Sequence, residues 1–497
     1  MSSKVLPQGR SFPIWSAGNT RLLLVFIISV ALVYLAPTAG VPPIIIRALF
    51  LGLLLVVFRS RDDVLWLCWF LVVMNAPGRL FFSTSSSTLY RLPYYSLGAG
   101  VSLGFQELFL GVYLLKYLLR RRRNTFLFGS YFQLLLIYGA VTFLYSLSLG
   151  MNASNMISAM RIVTPWLWVL ILPAFISDPD KLGRAFSLLA PFVFLTMMLT
   201  IQGQLTGTYL HDLLSGEFKF GFLGEAEAEL VRISHAANLN FICMMLALYY
   251  ISREDKRFKG NYLNAVLVTA GVFFFLSASR GWIIGMLVLL ASVFFMGGFN
   301  FIKQTARVIV ILGLLTILLL TVYPNIVAQS SRALGRLLTL EQLAEGDITA
   351  GGTLSRLSER GPRVMALFRE NPVLGWGFSG RFFENMDGHV GNQNMLMQGG
   401  VVGYLIWMLV FIIICVRILF ISRNNRSRVA PVGGGMVFLL GMLASFAIHS
   451  SSGQLWGFYS SFHASHLHWA WLLAAANVHL LAAERISPTA MSFPERG

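Results

Sequence analysis

The apolar stretch MLMQGGVVGYLIWMLVFIIICV (residues 395–416) decides the fold of this chain. It contains no charged residue, and it is as long as the ~20 residues that a helix needs to cross a bilayer. The polar segment SERGPRVMALFRENPVLGWGFSGRFFENMDGHVGNQN (residues 358–394) leads directly into it. The chain therefore passes within a few residues from a water-exposed segment into a membrane-spanning helix.

The composition extends this conclusion to all 497 residues. Hydrophobic residues make up 56% and charged residues 12%, whereas soluble domains carry roughly 25% charged residues. The apolar runs are continuous, which favours helices over the alternating strands of a membrane barrel. The predicted fold class is all-α: a polytopic integral membrane protein with about 12–14 transmembrane helices and one large extracytoplasmic loop that contains short helices.

About fourteen segments have the length and hydrophobicity of membrane crossings, and the third of them is short. They lie at residues 21–37, 43–58, 64–77, 100–118, 130–149, 157–176, 185–203, 233–252, 262–279, 282–299, 306–324, 396–420, 432–450 and 465–484. The three cysteines lie inside apolar runs, so the sequence predicts neither a disulfide framework nor a metal thiolate site.

The net charge of +17 is explained by the accumulation of Lys and Arg in cytoplasmic loops, so no nucleic-acid partner is expected. Every second loop is basic, which places both termini in the cytoplasm and residues 204–231, 277–281 and 325–395 outside. The basic loops lie at residues 59–61, 120–123, 181–184, 253–259, 303–307 and 423–428.

This pattern divides the chain into a cytosolic tail, a membrane bundle, a core, a C-terminal helical part and a second cytosolic tail. The corresponding ranges are 1–20, 21–229, 230–420, 421–484 and 485–497, and the core includes the extracytoplasmic loop 325–395.

Arginines on the outer side depart from the positive-inside trend and need a separate explanation. Ser279, Arg280 and Gly281 form a turn between two apolar segments. We expect Ser279 to cap the helix that follows, and Arg280 then lies beside backbone N–H groups that attract anions. The alternative is an arginine that contacts lipid headgroups at the interface.

The large loop carries a second group of arginines. Pro362 and Pro372 suit the first turn and the end of a short amphipathic helix, with Arg356, Arg360 and Arg363 before or within its first turn. The glycine-rich turn 372–377 that follows is expected to approach a ligand. Contacts with lipid headgroups are again the structural alternative.

His389 precedes the re-entering helix. If helical geometry begins there, His389, Asn392, Gln393, Gly400 and Gly403 share one face, polar outside and small within the bilayer. A histidine suits proton transfer near neutral pH, although an isolated loop histidine often has only a structural role.

Two further clusters have simpler explanations. His463, His466 and His468 are expected to be interfacial residues rather than metal ligands. Asp178 and Asp180 precede or begin a helix on the cytoplasmic side, where helix capping explains them. No metal site and no cofactor are therefore predicted.

In their order along the chain, these motifs resemble the O-antigen ligase and polymerase superfamily of bacterial envelope membrane proteins. The matching elements are the Ser-Arg-Gly turn in SASRG (277–281), the arginine-led helix ending in Pro-x-x-Gly-x-Gly (356–377), and His389 followed by Gly400 and Gly403. The resemblance covers roughly residues 230–420. Val390 stands where the family usually has asparagine.

The resemblance implies transfer of a glycan from an undecaprenyl-pyrophosphate donor to a saccharide hydroxyl. The implied pyrophosphate ligands are Arg280, Arg356, Arg360 and Arg232. His389 would act as general base, with Arg280 as the second catalytic residue, and Asn392 and Gln393 would contact the glycan or acceptor. The implied location is the bacterial inner membrane, with the active site facing the periplasm.

The implied partners are the lipid-linked glycan, an acceptor saccharide or lipid A core, membrane lipid and polysaccharide assembly proteins. Polymerisation is favoured by the length of the chain, and ligation to lipid A core is the alternative within the family. A small-molecule or lipid-linked glycan transporter is the alternative from another class; it would carry ionisable residues in mid-span, where Glu107 is the main acid.

Overall fold

The computed structural model describes residues 12–13, 15–75, 80–81, 91–98, 101–120, 126–206, 210–215, 236–253, 255–277, 279–292, 306, 310, 313–314, 359–387, 390–424, 432–450, 456–458 and 463–484. This part of the chain is all-α apart from one two-stranded antiparallel hairpin, which confirms the all-α part of the predicted fold class. The predicted crossing at 306–324 lies almost wholly beyond these residues.

The N-terminal half contains α1 (Ala17–Thr38), α2 (Pro43–Arg59), α3 (Asp63–Met74), α4 (Phe105–Leu119), α5 (Gly129–Ser148), α6 (Ala153–Val163), α7 (Leu167–Phe175), α8 (Pro179–Thr206) and α9 (Leu210–Ser215). Strands β1 (Tyr94–Gly98) and β2 (Val101–Gly104) precede α4. The C-terminal half contains α10 (Ala237–Ser252), α11 (Gly260–Leu276), α12 (Arg280–Leu290), α13 (Gly361–Glu370), α14 (Gly380–Asn385), α15 (Gly391–Asn424), α16 (Val432–Ser450) and α17 (His463–Glu484).

Within the described ranges, 5 helical segments are long and apolar enough to cross a membrane. They are Ala17–Thr38, Gly129–Ser148, Ala153–Phe175, Pro179–Gly203 and Gly391–Arg423. Shorter apolar helices of 10–17 residues accompany them, among them α3, α10 and α11. Length and composition thus support a membrane protein.

The burial pattern separates a central layer from a peripheral one. Trp469 and Trp471 in α17 are both 0% exposed, and most of α10 and α3 is buried as well. In contrast, Leu24, Leu55 and Ile137 in α1, α2 and α5 are 57%, 62% and 61% exposed. An apolar surface of this extent is unfavourable in water, which supports a membrane protein.

Ion pairs between loops hold together the end of the bundle at which α3 and α8 begin, which we call the basic face. Arg184 lies 2.5 Å from the Asp62 carboxylate, and Arg257 lies 2.7 Å from that of Asp180. The N–H of Phe12 donates to the Arg257 carbonyl at 3.0 Å. Three of the loops assigned to the cytoplasm therefore meet at one face, next to the N-terminal segment.

Helix α16 runs from this basic face to the opposite end of the bundle. An added Cβ at Gly434 would lie 3.4 Å from the hydroxyl of Ser252, the last residue of α10. At the other end, a Cβ on Gly281 would lie 3.4 Å from the Ile448 carbonyl. The start of α12 and the end of α16 thus lie together, away from the basic face.

Helices α15 and α17 are antiparallel to α16. Near the end of α15, Ser422 occupies the position that a Cβ on Gly435 would need. Towards the opposite end, the Ser445 hydroxyl lies 2.7 Å from Nε2 of His468 in α17. Both α15 and α17 therefore begin where α12 begins, and we call this end of the bundle the site face.

The hairpin is a departure from the sequence prediction. Residues 100–118 were expected to form one crossing, but Val101–Gly104 pairs with Tyr94–Gly98, and the helix begins only at Phe105. Alternation of Val101 and Leu103 with small residues suits a strand, but a run of four residues is too short to distinguish from the start of an apolar helix.

Candidate functional site

Helix α15 is interrupted at Gly400, inside the apolar stretch that decides the fold. Gly400 has φ 62° and ψ −166°, which is not helical. Only glycine adopts this combination without strain, because a side chain would collide with its own backbone. The interruption leaves backbone N–H and C=O groups without partners in the helix, and such groups are costly at membrane depth.

The turn 372–377 supplies the missing partners. N–H groups of Val401 and Val402 donate to the carbonyls of Pro372 and Val373 at 2.8 and 3.2 Å. In return, two backbone N–H groups of the turn donate to α15: Trp376 to Met397 at 2.8 Å and Gly377 to Gln398 at 2.7 Å. We call residues 372–377 and 397–402 together the joint. Its hydrogen bonds satisfy the backbone N–H and C=O groups that lipid could not satisfy.

Two glycines, one in the turn and one in α15, are required by this joint. A Cβ on Gly375 (φ 68°) would collide with the Gln398 carbonyl, and a Cβ on Gly400 would collide with that of Val373. Gly403 leaves space for the hydroxyl of Tyr138 in α5. The turn was expected to approach a ligand; in the structure it packs against the backbone of α15.

The end of α5 supports the turn from the other side. Ser146 Oγ accepts a hydrogen bond from the Phe378 N–H at 2.6 Å. Asn371 Nδ2 donates to the Tyr145 hydroxyl at 2.9 Å and to the Gly375 carbonyl at 2.6 Å. These bonds fix where the turn begins and ends, so α13 and α14 are held at defined positions beside α15.

Helix α13 is amphipathic, as its sequence predicts, with Pro362 in its first turn. Its apolar side does not face the membrane surface alone, because Val364 is 0% exposed and packs with Phe382, Val390 and Met397. Arg360, the N-cap residue one turn before Val364, and Arg363, next to Val364, have exposed side chains. Burial of the apolar side thus orients the two arginines towards the start of α15.

A carboxylate lies opposite these arginines. Asp387 Oδ1 is 3.5 Å from Arg360 Nη1, and Asp387 Oδ2 is 3.8 Å from Arg363 Nη2. The side chains of the arginines are 45% and 61% exposed, whereas that of Asp387 is 12% exposed. Sequence reasoning missed Asp387, although an acid two residues before the candidate base, in an arginine-rich loop, was a usable signal.

The turn closed by the hydrogen bond between Asp387 and Val390 is held by a buried amide. Asn394, which is 0% exposed, accepts from the Asp387 N–H at 3.1 Å and donates to the Asp387 carbonyl. The Val390 N–H donates to the same carbonyl at 3.2 Å. Asn394 therefore positions this turn. Asn392 and Gln393, the amides selected from the sequence, are partly buried in the first turn of α15.

The other predicted site residues are only partly described. Arg280 begins α12 at the site face, but its side chain, His389, Arg356 and Arg232 lie outside the described residues. Ser279 precedes α12 in an extended conformation and makes no side-chain cap hydrogen bond, so the predicted capping role is wrong. Of the predicted phosphate ligands, only Arg360 has a side chain within the described residues.

The histidine cluster is internal rather than interfacial. His463, His466 and His468 are at most 1% exposed. His463 Nδ1 accepts from Trp168 Nε1 at 3.3 Å, and its Nε2 lies 4.0 Å from a Glu107 oxygen. The ranges that the structure describes contain no group of three or more His, Cys, Asp or Glu side chains that could hold a metal ion.

The acids of the described apolar helices lie in end turns: Asp63, Glu107 and Asp180 in first turns, and Glu484 at the end of α17. Ion-coupled transporters typically use acids in mid-span. This arrangement adds no support for transport.

No protein-family model matches this chain, and no curated protein matches its sequence.

Proposed function

We propose that this protein is a membrane glycosyltransferase that moves a glycan from an undecaprenyl-pyrophosphate donor to a saccharide hydroxyl. The reaction takes place at the site face, on the outer side of the bacterial inner membrane, during assembly of surface polysaccharide. Arg280, Arg356, Arg360 and Arg232 bind the pyrophosphate, and His389 accepts the proton of the acceptor hydroxyl.

One observation carries the proposal. The guanidinium of Arg360 lies 3.5 Å from the carboxylate of Asp387, two positions before His389 in the chain. Two regions separated in sequence, the start of a basic helix and the turn closed by Asp387 and Val390, thus meet at the end of the bundle where α12 begins with Arg280. A diphosphate bound by the arginines would lie beside that turn.

The chemistry follows from the bonds that change. The acceptor oxygen attacks the anomeric carbon of the donor sugar, and the bond from that carbon to the phosphate oxygen breaks. His389 takes the hydroxyl proton, while the electron pair stays on undecaprenyl pyrophosphate. Negative charge on the leaving diphosphate increases, so fixed guanidinium groups stabilise the transition state; one well-placed donor contributes roughly 3–4 kcal/mol.

The proposal is tested in proteoliposomes by measuring release of undecaprenyl pyrophosphate from a lipid-linked glycan. Arg280→Ala should abolish release, and Arg280→Lys should restore only part of it, because lysine cannot offer a planar bidentate fork. His389→Ala should abolish transfer while leaving expression and membrane insertion intact. Full activity of Arg280→Ala would remove the basis of the proposal.

Within this reaction class we propose polymerisation of lipid-linked repeats. A deletion strain then makes surface polysaccharide with single repeats. Accumulation of long lipid-linked chains would instead assign ligation to lipid A core. Flanking genes for sugar transferases and a flippase would support either version of polysaccharide assembly.

A further inference from the structure

Arg360 and Arg363 are paired with Asp387 less closely than charged hydrogen bonds usually are. The two N···O distances are 3.5 and 3.8 Å, whereas charge-assisted hydrogen bonds are typically about 2.7–2.9 Å long. We infer that Asp387 is an internal competitor: it occupies the anion position of this arginine pair and is displaced from the guanidinium groups when a diphosphate binds. The inference rests on the proposed function for the class of its ligand.

The geometry favours an exchange of this kind. Both arginine side chains are about half exposed, so water weakens their attraction to one carboxylate. A diphosphate offers more charge and several oxygens, which planar guanidinium groups bind in bidentate fashion. Asp387 also repels an incoming anion. It therefore sets how strongly the donor binds and ensures that singly charged anions compete poorly.

A neighbouring ion pair shows a different arrangement. Arg381 is in direct hydrogen-bond contact with Glu370, and its guanidinium lies 4.7 Å above the centre of the Trp376 ring. Both charged side chains are about half exposed, like Arg360. The pair belongs to the same loop but is fixed by stacking, so Glu370 provides a matched control for removal of a carboxylate.

The substitution Asp387→Asn changes the charge with little disturbance of the turn. The bonds that hold the turn involve the main-chain N–H and carbonyl of Asp387, which meet Asn394 and Val390. An amide side chain has the same shape and leaves these bonds in place. The substitution removes the negative charge opposite the arginines.

The experiment measures binding of inorganic pyrophosphate to the purified full-length protein in nanodiscs by calorimetry. Asp387→Asn should bind pyrophosphate about fivefold more tightly or better, as expected from removing one unit charge about 4 Å away in a largely aqueous setting. Glu370→Gln should bind like the unmodified protein. The double variant Arg360→Ala/Arg363→Ala should lose binding, and adding Asp387→Asn to it should restore none.

Unchanged or weaker pyrophosphate binding by folded Asp387→Asn would overturn the inference, since a purely structural role predicts that direction. Asp387→Ser serves as a second variant, and thermal unfolding confirms that each protein is folded. The two proposals fail separately. If the unmodified protein releases no undecaprenyl pyrophosphate but Asp387→Asn still tightens pyrophosphate binding, the anion site stands and glycan transfer does not.

Discussion

The two ends of the bundle use the same pair of residue types in different ways. At the basic face, Arg184 and Arg257 lie 2.5 and 2.7 Å from carboxylates of neighbouring loops. At the site face, Arg360 and Arg363 lie 3.5 and 3.8 Å from Asp387. The closely paired arginines of the basic face connect loops that are far apart in the chain. The more distant pair keeps hydrogen-bonding capacity that a ligand can use.

One further ion pair of the basic face is deeply buried. In the basic face, Lys116 is 1% exposed and donates to the carboxylate of Asp63 and to the carbonyls of Val57 and Ser60 at 3.0 Å. A charge removed from water in this way needs its partner continuously. Arg363 is 61% exposed, so water solvates its charge and it does not need a permanent partner. The predictions below test this difference, beginning with the substitution expected to be most damaging.

Gly400→Ala should remove the joint on which the site face depends. The substitution combines a positive φ with a collision between Cβ and the Val373 carbonyl, so we expect a loss of more than about 4 kcal/mol or failure to fold. Gly111→Ala in α4, where a Cβ meets nothing within 4 Å, is the control and should be neutral or slightly stabilising. Thermal unfolding of both variants in detergent measures the effect; equal midpoints would contradict the role of the joint.

Asp63→Asn should be much more damaging than Asp387→Asn. The first leaves the buried ammonium of Lys116 without its counter-charge, which typically costs about 3–5 kcal/mol. The second removes a pair whose arginines are about half exposed and hydrated, and such a pair is worth about 0–1 kcal/mol. Denaturant unfolding of the two variants compares them directly. A similar loss of stability in both would show that the faces do not differ in the way described.

Arg360→Ala and Arg363→Ala should each lower glycan transfer roughly ten- to hundredfold while leaving stability nearly unchanged, because a charge-assisted contact in the transition state is lost. Arg381→Ala is the control in the same loop and should change transfer less than about twofold. Initial rates of undecaprenyl pyrophosphate release provide the measurement. A larger loss of glycan transfer in Arg381→Ala would show that Arg360 and Arg363 are not the arginines that bind the diphosphate.

Acid should weaken the basic face through Asp255. Burial alone would raise the pKa of this carboxyl, but hydrogen bonds and charge from Arg257 outweigh burial and lower the pKa below its usual value. A pKa that is lower in the folded state gives stability that is present above about pH 4 and disappears as the pH falls through the folded pKa. Asp255→Asn should therefore flatten the acid side of the stability profile. A profile unchanged between pH 3 and 5 (about the range of carboxyl titration) would contradict this.

Much of the helical architecture could be predicted from local sequence. The segment 432–450 was predicted as a crossing and forms α16 (Val432–Ser450), and Pro362 marks the first turn of α13. Long apolar runs must satisfy their backbone groups within one segment, so helix is the only local solution. Tertiary pairing overrode that preference at Val101–Gly104, where β1 was available.

The candidate site was less predictable. Residues 396–420 have the composition of one continuous helix, and the interruption at Gly400 depends on hydrogen bonds from a turn more than twenty residues earlier in the chain. Asp387 became a candidate site residue only because the structure places two arginines beside it. The histidines near the start of α17 were expected at an interface, but neighbouring helices bury them.

Sequence by itself determined that this protein is helical and suited to a membrane, because hydrophobicity and backbone satisfaction depend on each segment alone. It also determined which loops are basic and where glycines occur. Only the tertiary structure decided which arginines are closely paired, which carboxylate faces Arg360 and Arg363, and why Gly375 and Gly400 are needed. Those properties depend on distances between segments far apart in the chain, and no local pattern encodes such distances.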